Sequence, residues 1–164
     1  MFVTRKAEFS ASHVCRMAGL SEAENYQLYG DGANPNGHGH NYILEVTVAG
    51  HPDPVTGMVI DLKRLKDILE EEVVTPMDHR FLNFEVEPFR HVIPTTENVA
   101  REIWRRLDAR LETSGSRLAK VRLFETADLY VDIFREELVS TLVEGAANTN
   151  RADKPRLEQE GLAA

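Results

Sequence analysis

The stretch NPNGHGHNYILEVTVAG, residues 34–50, joins a loop, two histidines and a strand. Its first residues are Asn, Pro and Gly, which are typical of a loop. From residue 41 onward apolar and polar side chains alternate, and this period of two predicts a β-strand. One face of that strand carries Tyr42, Leu44, Val46 and Val48. His38 and His40 therefore lie where a loop enters a strand.

The composition is that of an ordinary globular domain, with 42% hydrophobic and 28% charged residues. A chain of 164 residues is long enough to bury a core without disulfides or metal ions. We predict a single domain over residues 1–144. Residues 145–164 lose the apolar periodicity and are predicted to form a mobile tail. Cys15 is the single cysteine, so the chain has no internal disulfide.

The formal net charge of −8 argues against nucleic-acid binding, which requires a concentrated basic face. An anionic substrate would need local positive charge, because the overall field repels it. No apolar run reaches the length of a membrane span, and the N-terminal residues lack the apolar core of a signal peptide. We therefore expect a cytoplasmic protein with neither a membrane nor a nucleic-acid partner.

The rest of the chain predicts further strands and helices. Strands are expected over residues 2–13, 58–62, 117–126 and 128–136, with 58–62 pairing back onto the strand that begins near residue 40. Helices are expected around residues 21–30, over 61–74 with Asp61 as N-cap, and over 95–112 beginning at Thr95. This order is typical of an α+β fold, in which helices cover one face of an antiparallel sheet.

The spacing of the two histidines suggests a metal site. Residues i and i+2 of a strand point to the same side, so His38 and His40 can reach one ion. His13 ends the first predicted strand and is the best third ligand, and a catalytic zinc uses three protein ligands and keeps one position open. An isolated His-x-His pair is more often solvated or part of a core, and on spacing alone that alternative stays open.

Two other groups carry possible chemistry. Asp78 next to His79 can fix the tautomer of the imidazole and raise its basicity, although such a pair in a loop is often a cap or a turn. Glu125 ends an apolar strand, where a buried carboxylate needs partners. It can accept two parallel N–H bonds from the edge of a pterin or guanine ring, or it can face water.

Six motifs in a fixed order resemble the 6-pyruvoyl-tetrahydropterin synthase family, which includes the 6-carboxytetrahydropterin synthases of the queuosine pathway. They are FSASH, NPNGHGHNY, DPVTGMVIDLKRLK, MDHRFLN, PTTENVA and LFET, and they span about residues 7–126. The sequences NPNGHGHNY and TTENVA are most similar to those of the pyruvoyl-forming branch. The resemblance implies a tunnelling fold, in which two helices cover one face of a four-stranded antiparallel sheet. It also implies trimeric barrels stacked as homohexamers, with active sites between subunits.

The resemblance implies roles for particular residues. The zinc ligands would be His13, His38 and His40, and the proton-relay pair would be Asp78 and His79. The substrate would be 7,8-dihydroneopterin triphosphate, which loses its triphosphate by elimination.

The pterin pocket follows from the same resemblance. Glu125 would anchor the pterin ring, and Thr95, Thr96 and Glu97 would line the pocket. From the sequence alone these three residues are equally well explained as a helix N-terminus. Lys6 and Arg16 are near enough in sequence to be candidates for the triphosphate.

One position departs from the family pattern. The family's catalytic cysteine would fall at Gly32 in the pyruvoyl-forming branch and at Asn34 in the carboxy-forming branch, and neither residue is a base. Asp31 or Cys15 would have to substitute, or the chemistry is altered. The alternatives to the usual product are retro-aldol cleavage to a 6-hydroxymethylpterin, a pterin- or purine-binding protein without turnover, and a structural barrel.

Overall fold

A five-stranded mixed sheet forms the centre of the computed structural model, which describes residues 1–113 and 115–135. The spatial order of the strands is β3-β1-β2-β4-β5. The strands are β1 (Phe2–His13), β2 (His38–Gly50), β3 (Arg80–Phe81), β4 (Ser116–Phe124) and β5 (Tyr130–Phe134). β1, β2, β4 and β5 are the predicted antiparallel strands. The prediction of four strands is corrected by β3, a two-residue strand that pairs parallel with β1 and makes the sheet mixed.

β1 and β2 pair antiparallel along nearly their whole length, with Phe2 opposite Ala49 and His13 opposite His38. The other edge of β2 pairs with β4, and the register shifts between Thr47 and Val48. β4 and β5 form the predicted hairpin. Both edges of β2 are therefore occupied from Ile43 to Ala49.

The strand predicted over residues 58–62 is wrong, because this segment is a loop that leads into a helix. The Asp53 carboxylate accepts hydrogen bonds from the backbone N–H groups of Val55 and Thr56, and the carbonyl of Met58 accepts one from the N–H of Asp53. These local bonds close a turn. Since β1 and β4 already occupy both edges of β2, a further hairpin strand has no edge to join there.

The helices are α1 (Glu22–Tyr29), α2 (Leu62–Leu69), α3 (Thr75–Met77), α4 (Leu82–Glu85) and α5 (Thr96–Leu111). A 3-10 turn, Gly30–Ala33, follows α1, and a π-helical turn, Glu70–Val74, joins α2 to α3. The predicted N-caps are confirmed. The Asp61 carboxylate accepts from the N–H groups of Lys63 and Arg64, and the Thr95 hydroxyl accepts from the N–H of Asn98.

The hydrophobic core lies between one face of the sheet and the helices α2 and α5. Its fully buried side chains include Leu44, Val46, Leu65, Leu69, Ile103, Leu107, Val121 and Leu123. The opposite face of the sheet is polar, and there Lys6 pairs with Glu45 at 2.7 Å and the hydroxyls of Thr4 and Thr47 lie 2.9 Å apart. The α+β class with helices on one face is therefore confirmed.

Residues Met1–Phe134 form one compact unit, and only Arg135 of the second unit, Arg135–Ala164, is described. The predicted domain boundary after residue 144 and the predicted tail, residues 145–164, lie outside the described residues. Among the helices within residues 1–113 and 115–135, none has the length and apolar content to cross a membrane.

Leu107 tests the packing of α5 against the sheet, since its side chain is fully buried. We expect Leu107→Ala to lower the free energy of unfolding by about 2–5 kcal/mol, because it removes buried methyl groups and leaves a cavity. Arg101→Ala, at an exposed position of the same helix, should change it by less than about 0.5 kcal/mol. Urea unfolding of both variants measures the difference, and equal effects would contradict this description of the core.

Candidate metal centre

Three histidines meet at one end of the core-facing side of the sheet. The register of β1 and β2 places His13 opposite His38, and His40 follows two residues later on the same face. One nitrogen of each ring lies within 4.8 Å of those of the other two. The ring centroids of His13 and His38 are 4.5 Å apart, and those of His38 and His40 are 4.8 Å apart. The structure therefore brings together the three histidines that the sequence suggested.

The orientation of His13 is set by a backbone carbonyl. Its Nδ1 lies 2.6 Å from the carbonyl oxygen of Pro94. Because a carbonyl can only accept, Nδ1 carries the hydrogen and Nε2 keeps a lone pair. Burial lowers the pKa of His13, which keeps the ring neutral, although the bond to Pro94 acts in the opposite direction. A histidine held in this way is prepared to bind a metal, since metal-bound histidines commonly donate their other N–H to a carbonyl or a carboxylate.

The nitrogen atoms that face the centre of the cluster fit a metal ion. Within the described part of the chain, Nε2 of His13, Nδ1 of His38 and Nε2 of His40 are buried and have no hydrogen-bond partner. Burial also lowers the pKa of His40, which favours its neutral form. Unpaired buried polar atoms are costly, and three of them at one point are explained by a cation that all three would bind.

Glu125 lies against the cluster, just after β4. Its Oε1 is 3.4 Å from Nε2 of His13 and 3.6 Å from Nε2 of His40, and its side chain is only 13% exposed. The alternative of a water-facing glutamate at a strand end therefore does not describe this residue. The carboxylate is therefore a close neighbour of two of the three histidine rings.

Gly32 is next to the cluster, in the 3-10 turn after α1. A Cβ atom at this position would lie 3.8 Å from Cε1 of His38 and 3.9 Å from Cβ of Cys15, which are ordinary contact distances. The N–H of Cys15 donates to the carbonyl of Gly32 at 2.9 Å. Position 32 can thus hold a small side chain beside the histidines, and Cys15 is its direct neighbour.

The two candidate substitutes for the missing cysteine differ in environment. Cys15 is buried, and burial together with the nearby carboxylates of Glu125 and Glu97 raises the pKa of its thiol to about 11. Asp31 is exposed to solvent. Cys15 is therefore the better placed of the two, and it is protonated at neutral pH.

Asp78 and His79 form the expected contact, since Nδ1 of His79 lies 2.7 Å from Oδ2 of Asp78. Oδ1 of Asp78 accepts from the N–H of Ser10 at 2.8 Å, and that bond, aided by His79, holds the pKa of Asp78 below its usual range. The backbone of His79 is left-handed, with φ +56°, and its side chain is 83% exposed. The ring lines a groove of about 350 Å³ together with Ser10, Ser12, His40, Asn41 and Arg80.

Most of that groove lies on the polar face of the sheet, and His40 of the histidine cluster also lines it. Ser10 and Asn41 are paired across β1 and β2, and their side chains are hydrogen-bonded at 2.7 Å. By strand alternation they point away from the face that carries His13 and His40. Within one chain, the groove beside His79 therefore reaches one of the three histidines, His40.

The other predicted residues are partly engaged in structure. Thr95 caps α5, Thr96 is buried and Glu97 is exposed in the first turn, directly after the Pro94 carbonyl that holds His13. The candidates for the triphosphate both have acidic partners. Lys6 pairs with Glu45 at 2.7 Å, and Arg16 pairs with Glu22 at 3.0 Å.

Pro94 and Tyr42 belong to the site and were missed in the sequence. Pro94 acts through its carbonyl, which leaves no signal in the residue type. The Tyr42 hydroxyl is buried without a hydrogen-bond partner among the described residues, and its ring centroid lies 5.7 Å from that of His40. The sequence does contain a signal for Tyr42, because the period of two that places His38 and His40 on one face also places Tyr42 there.

The cluster predicts that the affinity for zinc depends on each of the three histidines. We expect His38→Ala to lower the affinity for divalent zinc by more than about 100-fold, beyond the loss typical of removing a supporting partner. His91→Ala, at an exposed histidine outside the cluster, should leave zinc binding unchanged. Metal analysis after dialysis against a competing chelator measures both, and full zinc loading of His38→Ala would contradict the assignment.

Comparisons with known proteins identify the family of this chain. The family model "6-pyruvoyl tetrahydropterin synthase" matches residues 2–136. The chain is 48% identical to 6-pyruvoyl tetrahydrobiopterin synthase of Homo sapiens over 124 residues, which cover 76% of this chain and 84% of that protein. It is 27% identical to 6-carboxy-5,6,7,8-tetrahydropterin synthase of Rickettsia bellii over 146 residues, which cover 79% of this chain and 97% of that protein.

A solved structure extends the likeness to the fold. The Caenorhabditis elegans 6-pyruvoyl tetrahydropterin synthase superimposes with a TM-score of 0.76 and 37% identity, covering 82% of this chain and 94% of that chain. The matched regions include both strands that carry the histidine cluster, since the family model begins at residue 2 and ends at residue 136. The chain belongs to the 6-pyruvoyl tetrahydropterin synthase family.

Proposed function

We propose that this protein is a zinc-dependent lyase that acts on 7,8-dihydroneopterin triphosphate, releases triphosphate and forms a 6-pyruvoyl-tetrahydropterin. The observation that carries the proposal is the cluster of His13, His38 and His40, with Glu125 beside it. The higher identity to a 6-pyruvoyl tetrahydrobiopterin synthase than to a 6-carboxy-tetrahydropterin synthase supports the pyruvoyl product.

Zinc suits the donor set. Three neutral imidazoles are a common ligand set of catalytic zinc, which keeps a further position open for substrate. When bound, zinc would supply Lewis-acid polarisation of oxygen atoms on the substrate's side chain. The bond from His13 to Pro94 supports this, since it presents the lone pair of Nε2 toward the cluster.

Glu125 would bind the pterin ring. A carboxylate can accept two parallel N–H bonds from the amino and ring nitrogens of a pterin edge, and such a charge-assisted pair fixes the orientation of the ring. The low exposure of the Glu125 side chain supports this role, because a carboxylate that is largely shielded from water forms stronger hydrogen bonds. Thr95, Thr96 and Glu97 would complete the pocket at the start of α5.

Cys15 would take the place of the missing cysteine. Its Cβ lies 3.9 Å from the point where a side chain at position 32 would begin, whereas Asp31 is exposed. The raised pKa of the thiol has two opposing effects on proton transfer. A thiolate is scarce at neutral pH, but once formed it is a stronger base than an ordinary cysteine. Slow turnover at neutral pH follows from this assignment.

The Asp78–His79 pair would complete the site of a neighbouring copy. The exposed ring of His79, which lines an open groove together with His40, supports a site built between subunits. This agrees with a homohexamer assembled as a dimer of trimers, which we propose for this chain. We also propose a cytoplasmic location.

A second function is favoured by Gly32. A protein without the family's cysteine can keep the metal and the ring anchor and bind a pterin or a purine without turnover. Alternatively, the substrate can be cleaved by a retro-aldol reaction to a 6-hydroxymethylpterin. These alternatives share the binding site and differ in product.

Product analysis separates these functions. We expect zinc-loaded protein incubated with 7,8-dihydroneopterin triphosphate to release triphosphate and a 6-pyruvoyl-tetrahydropterin, identified by chromatography and mass spectrometry. The zinc-free protein serves as control. A 6-carboxy- or 6-hydroxymethylpterin would assign the other reactions, and retained pterin with no product would replace the lyase by a binding protein.

Position 32 tests the base. We expect Gly32→Cys to raise turnover at pH 7 by about tenfold or more, because a positioned base contributes strongly to proton transfer and the site has room for the side chain. Gly32→Ser is the matched control, since it adds a group of similar size that is not a base at this pH.

In the chain with Gly32 unchanged, Cys15→Ala should lower turnover more than Asp31→Ala. The reverse order would assign the base to Asp31. Unchanged rates in both variants would remove both residues from the mechanism. Zinc content is measured for every variant, so that loss of metal is not read as loss of the base.

A further inference from the structure

The Tyr42 hydroxyl is a buried polar group without a partner inside the protein. Within residues 1–113 and 115–135, four buried side-chain polar atoms lack a hydrogen bond. Three of them are the nitrogen atoms of the histidine cluster, and the fourth is this hydroxyl. The side chain of Tyr42 is 0% exposed, so bulk water does not satisfy the hydroxyl either.

The ring of Tyr42 is fixed beside the histidines. Tyr42 follows His38 and His40 at steps of two along β2, so all three side chains leave the same face of the sheet. Its ring centroid lies 5.7 Å from that of His40 and 6.3 Å from that of His13. On its other side the ring stacks on Phe9 at 5.0 Å with an interplanar angle of 15°. Packing alone therefore holds the ring in place.

The hydroxyl is a donor under all ordinary conditions. A tyrosine phenol has a reference pKa of about 10 and can donate one hydrogen bond. The ring that carries this hydroxyl lies beside two histidines of the proposed site. A buried donor without a partner destabilises a protein, and such groups in native structures call for an explanation such as a ligand or an ordered water.

We propose that the Tyr42 hydroxyl donates a hydrogen bond to an acceptor atom of the pterin substrate bound at the histidine cluster, an inference that rests on the proposed function. The acceptor is an oxygen or nitrogen of the substrate, because a phenol O–H donates one hydrogen bond to such an atom. A phenylalanine would make the same ring contacts with Phe9 and the histidines. The hydroxyl itself is therefore explained by ligand binding and not by packing.

The test is Tyr42→Phe, which removes the hydroxyl and keeps the ring. Tyr26→Phe is the matched control, because Tyr26 is 62% exposed. Three quantities are measured on each protein: zinc content, the unfolding temperature of the ligand-free protein, and ligand binding with turnover. The ligands are neopterin, followed by fluorescence, and 7,8-dihydroneopterin triphosphate for kcat and KM.

We expect zinc content to stay unchanged and the unfolding temperature of Tyr42→Phe to be equal to that of the unmodified protein or higher by up to about 4 °C. We also expect neopterin affinity and kcat/KM to fall by about 3- to 10-fold, the effect of one neutral hydrogen bond. A lower unfolding temperature would overturn the proposal, since the hydroxyl would then have a partner within the protein. Changes in both affinity and kcat/KM of less than about twofold would overturn it as well.

The unmodified protein separates this inference from the proposed function. If it turns over the substrate and Tyr42→Phe does so equally well, only the role of Tyr42 fails. If it binds neopterin without turnover, the lyase fails and the binding measurement decides the role of Tyr42. If it neither binds nor turns over a pterin, both proposals fail.

Discussion

The pairing of β1 with β2 is the constraint on which the site depends. These strands share a register of twelve residue pairs that places His13 opposite His38 and Ala11 opposite His40. Side chains alternate between the two faces of a strand, so a slip by one residue would turn His13 toward the polar face and break the cluster. The apolar face of β2, with Leu44 and Val46 fully buried, opposes such a slip, because it would also expose these side chains. The same hydrophobic pattern that builds the core thus aligns the metal ligands.

The segment before α5 also helps to position His13. The Asn98 side chain donates to the carbonyl of Ile93 at 2.9 Å, and the Thr95 hydroxyl accepts from the N–H of Asn98. These bonds shape the turn that presents the Pro94 carbonyl to His13. The start of α5 is therefore both a helix cap and a support for the metal centre. The functional and the structural explanations of Thr95 are compatible.

Much of this arrangement could be predicted from the sequence, because it depends on patterns among residues that are close together in the chain. Alternation in β2 predicted that His38 and His40 share a face, and the caps at Asp61 and Thr95 predicted where helices begin. The failures were non-local. The apolar residues 58–60 resemble a strand, but both edges of β2 are already taken. β3 is too short to have a period. The contribution of Pro94 depends on a backbone carbonyl, and the isolation of the Tyr42 hydroxyl depends on what surrounds it in three dimensions.

The position of the three histidines on two paired strands has a thermodynamic consequence. An ion bound by His13, His38 and His40 would tie the ends of β1 and β2 together, and separating those strands would release it. Binding that occurs only in the folded state stabilises it by RT ln(1 + [metal]/Kd), about 2.7 kcal/mol when the free ion is at 100 times its Kd. The stability of the folded protein would then vary with the supply of the ion, so that the ion would contribute to the fold as well as to the chemistry.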